Sequence, residues 1–182
     1  MMRTPLTAMV AVALVLVLNG CQTMKQNPPE TVPYVDLERY SGLWYEIASF
    51  PARFQEGCHC TTAEYTLSPD GSYVSVKNRC RRDSVTGSER SVRGKAFVVS
   101  GSGNAKLRVQ FFWPFRAPYW IIGLADDYSW ALVSGPSRKY LWILSRTPQM
   151  DEETYQHILE KLQQQGFDTS RLTLNNQGCG EQ

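Results

Sequence analysis

The chain has 182 residues, a net charge of +2 at pH 7 and 12% aromatic residues. A charge so close to zero excludes the strongly basic composition that is typical of nucleic-acid-binding domains. The length allows one hydrophobic core once an export segment is removed, and the aromatic content favours a fold with much interior surface to line.

The first twenty residues have the pattern of a secretory signal peptide. Arg3 precedes an apolar run of ten residues from Met9 to Leu18, about half the length that spans a bilayer. The run ends in Leu18-Asn19-Gly20-Cys21, which resembles the lipobox of bacterial lipoproteins and departs from it at Asn19. The alternative is an ordinary signal peptide followed by a chance cysteine.

The lipoprotein resemblance implies cleavage before Cys21 and acylation of its thiol and its amine. One acyl chain binds a membrane only marginally, whereas three make a lasting anchor. Gln22 replaces the Asp that signals inner-membrane retention in such lipoproteins, so we expect the periplasmic side of the outer membrane. Residues 21–33 hold three prolines and few apolar residues, which predicts a flexible lipidated tether before a domain at 34–182. Without residues 1–20 the net charge is +1, and we expect no nucleic-acid partner.

Short alternating runs separated by turn residues follow, which is the pattern of an all-β antiparallel fold. We predict eight strands, at Leu43–Phe50, Thr61–Ser68, Ser72–Arg81, Val92–Ser100, Lys106–Trp113, Tyr119–Ala125, Tyr128–Ser134 and Lys139–Ser145. Eight such strands can close into an up-and-down β-barrel that holds one small ligand. Apolar residues then recur at helical spacing between Asp151 and Gly166, which predicts one C-terminal α-helix packed outside the barrel. A short ninth strand is predicted at Arg171–Leu174.

Three motifs occur in order along these strands. Gly42-Leu43-Trp44 opens the first strand, Ala125-Asp126-Asp127-Tyr128 lies between the sixth and seventh, and Arg146 ends the eighth. Together they resemble the signature motifs of the lipocalins, above all the bacterial outer-membrane lipoproteins of that family and apolipoprotein D. The resemblance implies a lipocalin calyx with the Arg146 guanidinium over the Trp44 indole. It also implies structural rather than catalytic roles for Gly42, Trp44, Asp127, Tyr128 and Arg146.

Four cysteines besides Cys21 form an even set in an exported chain, which indicates a disulfide framework. A Cys58–Cys60 bond would be strained, and two pairings remain. The family resemblance implies Cys60 with Cys179 and Cys58 with Cys80. A zinc site or a redox centre at Cys58-His59-Cys60 is the alternative, but zinc usually requires a wider ligand spacing. We expect no metal and no cofactor.

Strand parity predicts which side chains face the barrel interior. If Trp44 faces inward, Glu46, Ala48 and Phe50 do so too, until a bulge intervenes. Small residues on the inner face of the fourth strand predict space for a ligand. Where parity fails, resemblance to the apolipoprotein D pocket places Tyr119 and Trp142 inward and Trp113 near the mouth. The expected ligand-binding residues are Tyr65, Phe111, Tyr119, Trp142, Trp113 and Glu46. The alternative is that these aromatic residues fill a solid core.

The fold, the anchor and the resemblance imply a binding protein, not an enzyme, that stores or transports a fatty acid or lysophospholipid at the outer membrane. We expect a monomer or a weak dimer. The apolar loop from Trp113 to Tyr119 is either a lip through which an acyl chain enters or a stiff hairpin on its own barrel. The other functions considered are an enzyme such as an isomerase and a scaffold lipoprotein without a ligand. Neither histidine has a Ser or Cys nucleophile beside it in the predicted fold, which disfavours the enzyme.

Overall fold

The computed structural model describes residues 27–179. The predicted signal peptide, Cys21, the first part of the predicted tether and residues 180–182 lie outside this range. Within it, no helix is long and apolar enough to cross a membrane.

Eight antiparallel strands form a closed barrel. They are β1 (Gly42–Ser49), β2 (Cys58–Leu67), β3 (Val74–Arg82), β4 (Glu89–Val98), β5 (Lys106–Phe112), β6 (Phe115–Leu124), β7 (Trp130–Ser134) and β8 (Leu141–Ser145). Each strand pairs with the next, and β1 closes the ring because it pairs with both β2 and β8. A ninth strand, β9 (Thr173–Leu174), bonds to β1 outside the ring. The predicted up-and-down barrel with a ninth strand is therefore confirmed.

Two helices flank the barrel. The short helix α1 (Leu37–Tyr40) precedes β1, and the Asp36 carboxylate caps it by accepting hydrogen bonds from two backbone N–H groups. Helix α2 (Glu152–Gln164) begins after Asp151, which accepts a hydrogen bond from the backbone N–H of Thr154. Its apolar face packs against the outer wall of the barrel, as the helical spacing predicts.

The barrel wall separates two clusters of core residues, and a bulge in β1 changes which cluster its residues join. Trp44 and Tyr65 belong to the cluster inside the barrel, together with apolar residues from most of the strands. Ala48 and Phe50 belong instead to a second cluster, between the barrel wall and α2, where Ile158 is fully buried. The prediction that Ala48 and Phe50 face inward was therefore wrong. The register of β1 against β8 shifts between Glu46 and Ala48, and this reverses the alternation that parity assumes.

The three sequence motifs meet at one end of the barrel, which we call the closed end. The Arg146 guanidinium lies 3.8 Å from the centroid of the Trp44 ring and donates hydrogen bonds to the carbonyls of Leu43, Arg39 and Tyr128. The Trp44 indole donates to the carbonyl of Tyr40, which fixes α1 beneath the barrel.

The second motif forms the turn before β7. Asp127 accepts from the backbone N–H of Ser129, and Tyr128 has a φ of 65°, so β7 begins at Trp130 rather than at Tyr128 as predicted. The Tyr128 hydroxyl accepts a hydrogen bond from the backbone N–H of Asp36. The motif therefore ties this turn to the residue that caps α1.

In an up-and-down barrel every second connection between strands lies at the same end. The end opposite α1, which we call the mouth, is formed by the loops at residues 50–57, 83–88, 113–114 and 135–140. Contact between Phe54 and Tyr140, whose ring centroids are 5.5 Å apart, joins the first and last of these loops.

The described part of the predicted tether, residues 27–33, lies along the barrel. The carbonyl of Asn27 accepts a hydrogen bond from Arg138 in a mouth loop, and the backbone N–H of Val32 donates to the carbonyl of Ile121 in β6. Val35 then bonds to Gly103 near the closed end. Residues 27–35 thus run from the mouth to the closed end.

Candidate ligand-binding site

Three tyrosine side chains meet inside the barrel at its closed end. Tyr119 of β6 forms hydrogen bonds of 2.8 Å through its hydroxyl with the hydroxyls of Tyr40 and Tyr65. Burial raises the pKa of all three phenols, in the case of Tyr65 to about 12. The cluster stays neutral at ordinary pH and offers hydroxyl groups in apolar surroundings.

The space beside these tyrosines is small. A cavity of about 10 Å³ lies there, close to the least volume that holds one water molecule. Its walls are Leu37, Tyr40, Tyr65, Val74, Ala96, Leu107, Val109 and Tyr119.

The small residues of β4 accommodate a neighbour instead of leaving room. A Cβ at Gly94 would lie 2.5 Å from the backbone oxygen of Gln110 and 2.8 Å from the ring of Phe111, so these atoms of β5 occupy the space that the sequence assigns to a ligand. Phe111 is partly buried and packs against the inner cluster.

A second polar group lies nearer the mouth and centres on Glu46, which is 4% exposed. Its carboxylate accepts hydrogen bonds of 2.7 Å from the Ser49 hydroxyl and from the Gln55 amide. The side-chain amide oxygen of Gln55 in turn accepts a hydrogen bond of 2.9 Å from the indole N–H of Trp142. Gln55 belongs to a 3-10 turn, Arg53–Gln55, in a mouth loop. The loop therefore reaches both interior residues through one side chain.

Burial raises the pKa of Glu46, although the hydrogen bonds from Ser49, Gln55 and Asn175 oppose the shift. The neutral acid is favoured relative to a carboxyl group in water. Such a group repels an anionic ligand less than an exposed glutamate does.

Aromatic side chains continue the site toward solvent. Trp142 is half-buried and stacks on Tyr140 with ring centroids 5.7 Å apart. Trp113, by contrast, is 86% exposed at the tip of the β5–β6 hairpin, where Phe112 and Phe115 are also exposed. Of the six expected ligand-binding residues, Tyr65, Tyr119, Phe111, Trp142 and Glu46 meet in the barrel interior, and Trp113 lies at the rim.

The C-terminal tail completes the barrel wall beside Glu46. Toward the mouth, residues 175–177 lie between β1 and β2, and the carbonyl of Asn176 accepts a hydrogen bond from the backbone N–H of Cys60. The Gln177 amide donates to the carbonyls of Glu46 and Thr61. The tail thus joins two strands that no longer bond to each other at this point.

Two disulfides surround this tail. They join Cys60 to Cys179 and Cys58 to Cys80, with Cα–Cα distances of 6.1 and 5.4 Å, the pairs that the family resemblance implies. Because all four thiols are bonded, a zinc site at Cys58-His59-Cys60 does not fit the structure.

Two residues of the site escaped the sequence reasoning. Tyr40 lies on α1, outside every predicted strand, and Gln55 lies in a loop, so strand parity applies to neither. The only available signal for Tyr40 was its place four residues before Trp44.

The sequence is similar to those of known proteins over most of the chain. A family model described as a lipocalin-like domain matches residues 35–177. The chain is similar to Temperature-induced lipocalin-1 of Arabidopsis thaliana, at 44% identity over 79% of this chain and 80% of the relative. It is similar to the outer membrane lipoprotein Blc of Vibrio cholerae, at 40% identity over 86% and 91%, and to apolipoprotein D of Mus musculus, at 37% identity over 78% and 77%.

Proposed function

The chain belongs to the lipocalin family, and on that premise we propose that it is a membrane-anchored binding protein for a fatty acid or lysophospholipid. It stores or transports this ligand at the bacterial outer membrane, on the periplasmic side, and is attached through acyl chains on Cys21. The likeness to a relative named an outer membrane lipoprotein supports the location, and the sequence around Cys21 supports the anchor. We assign no catalytic residue.

The observation that carries the proposal is the pair of polar groups inside a mainly apolar barrel. A ligand pocket of this kind has apolar walls and a few polar groups that orient the ligand. An acyl chain would enter at the mouth between Trp142 and Phe111, toward the hydroxyls of Tyr65 and Tyr119. Its head group would take the donors of Gln55 and Trp142 beside the buried Glu46, whose pKa is raised.

The small closed-end cavity determines how such a ligand would fit. Because about 10 Å³ cannot hold an acyl chain, the chain would have to displace the Phe111 ring or stop above the tyrosine cluster. The same cavity supports the second candidate function, a scaffold lipoprotein whose barrel is filled by its own side chains.

Probe binding separates the two functions. Fluorescent fatty acid and lysophospholipid are titrated into the protein, into Trp142→Asp and into a control, Tyr34→Asp, where the native side chain is exposed outside the barrel. We expect saturable binding that is lost in Trp142→Asp and kept in the control. If the native protein binds neither probe, or if Trp142→Asp binds as well as the native protein does, the carrier function is wrong and the scaffold is favoured.

A further inference from the structure

The charges of this barrel are divided between its two halves. Residues 74–124, which contain β3 to β6, hold ten Lys and Arg against two Asp and Glu, a net charge of +8. The rest of the described range, 27–73 and 125–179, holds seven against fourteen, a net charge of −7. We call residues 74–124 the cationic half. A net charge near zero for the whole chain conceals this separation.

The register of the cationic half places like charges side by side on the outer wall. Val76 is buried in the barrel, so its neighbour Lys77 points outward, and Lys77 lies directly opposite Arg93 on β4. Directly opposed like charges destabilise a sheet. Arg108 lies opposite Phe97 on the same outer face, and both Arg93 and Arg108 are exposed.

Carboxylates do not neutralise this surface. Within residues 27–179, the one ion pair closer than 4.0 Å joins Arg79 to Glu64 at 3.5 Å. Other cations are supported by rings instead, as Arg116 is by Phe97 at 4.1 Å. A cation held over a ring keeps its full charge, so the outer wall remains available to an anionic partner.

Two further observations identify the partner. The β5–β6 hairpin of the cationic half carries the exposed side chains of Phe112, Trp113 and Phe115 at the mouth. Asn27 is bonded to Arg138 at the same end, and the six residues back to Cys21 reach at most about 20 Å. The aromatic tip and the anchored end of the chain therefore lie at the same end of the barrel, and the tip belongs to the wall that carries the cations. This is the composition of a surface that lies on anionic lipid.

We propose that the outer wall of the cationic half docks on the surface of an anionic phospholipid bilayer, with the β5–β6 hairpin tip inserted. The inference rests on the membrane anchor of the proposed function but not on its ligand. Each cation held near such a surface strengthens docking about fivefold, from about 1 kcal/mol per charge.

The test uses the lipidated protein in vesicles of phosphatidylcholine, or of equal parts phosphatidylcholine and phosphatidylglycerol. Phospholipids brominated on their acyl chains quench the fluorescence of tryptophans that enter the bilayer. The variant Trp113→Phe shows how much of this quenching comes from Trp113. We expect stronger quenching in the anionic vesicles, reduced by added salt. R93Q/R108Q is expected to weaken docking about 25-fold.

The matched control is R39Q/K161Q, which removes two exposed charges from outside the cationic half and away from the mouth loops and should leave docking unchanged. Equal quenching in neutral and anionic vesicles, or equal weakening by both pairs, would overturn the proposal. Tighter binding of an oligonucleotide than of anionic vesicles would overturn it too. If R93Q/R108Q does not fold, the salt titration of the native protein decides. Loss of fatty acid binding with docking intact refutes the proposed ligand but not the docking surface.

Discussion

Replacing Tyr119 by Phe removes one oxygen atom and two hydrogen bonds, because its hydroxyl is the link between Tyr40 and Tyr65. Both of these hydroxyls then remain buried without the partner they have now. An unsatisfied buried polar group costs about 1–3 kcal/mol, so two of them cost about 2–6 kcal/mol. In Tyr40→Phe the Tyr119–Tyr65 bond survives, and the loss is about 1 kcal/mol.

Thermal and denaturant unfolding followed by circular dichroism measure the difference. For a domain of this size, 1 kcal/mol corresponds to about 2–4 °C in Tm, so Tyr119→Phe should lower Tm by at least about 4 °C and Tyr40→Phe by about 2–4 °C. The double variant Tyr40→Phe/Tyr65→Phe leaves a single orphaned hydroxyl and should fall between them. Equal Tm values for Tyr119→Phe and Tyr40→Phe would refute the central position of Tyr119.

The remaining predictions concern pH and the disulfides. The pKa of Glu46 is raised in the folded protein, so the stability that its protonation contributes is present at low pH and lost as pH rises through the folded pKa. Glu46→Gln should flatten that decline, and a decline of unchanged slope in urea titrations at several pH values would contradict it. Removing the Cys60–Cys179 bond should cost more than removing Cys58–Cys80, about 4.9 against about 3.4 kcal/mol for separations of 119 and 22 residues. Variants in which both cysteines of one pair are replaced by serine, compared by urea unfolding, test this order. A larger loss of stability on removal of Cys58–Cys80 would contradict it.

The sequence predicted the barrel and its closed end because both depend on local signals. Alternation marks a strand wherever one face is buried, and Trp44 and Arg146 stand at the strand ends where the family motif requires them. The predicted ends of the strands were less accurate. β6 begins at Phe115 rather than Tyr119, since exposed aromatic residues at the hairpin tip break the alternation that marks a strand.

Prediction failed where a position depends on tertiary contacts. The bulge after Glu46 reverses the alternation, and no residue type there announces it, so Ala48 and Phe50 were assigned to the wrong side of the wall. Gly94, one of the small residues predicted on the inner face of the fourth strand, leaves no room for a ligand because the backbone of Gln110 and the ring of Phe111 take its space. Gln55 reaches Glu46 only because its loop folds over the mouth.

The tail between β1 and β2 makes residues 175–177 partners of the first two strands. Asn176 and Gln177 satisfy backbone groups of Cys60, Thr61 and Glu46, which lie more than a hundred positions earlier. Residues 175–177 therefore close this part of the ring, although they follow all eight strands of the barrel along the chain. A nascent chain that lacks these residues leaves backbone groups of β1 and β2 unpaired, so the barrel wall can be completed only after synthesis reaches the tail. Pairings between residues so distant in sequence make folding slow.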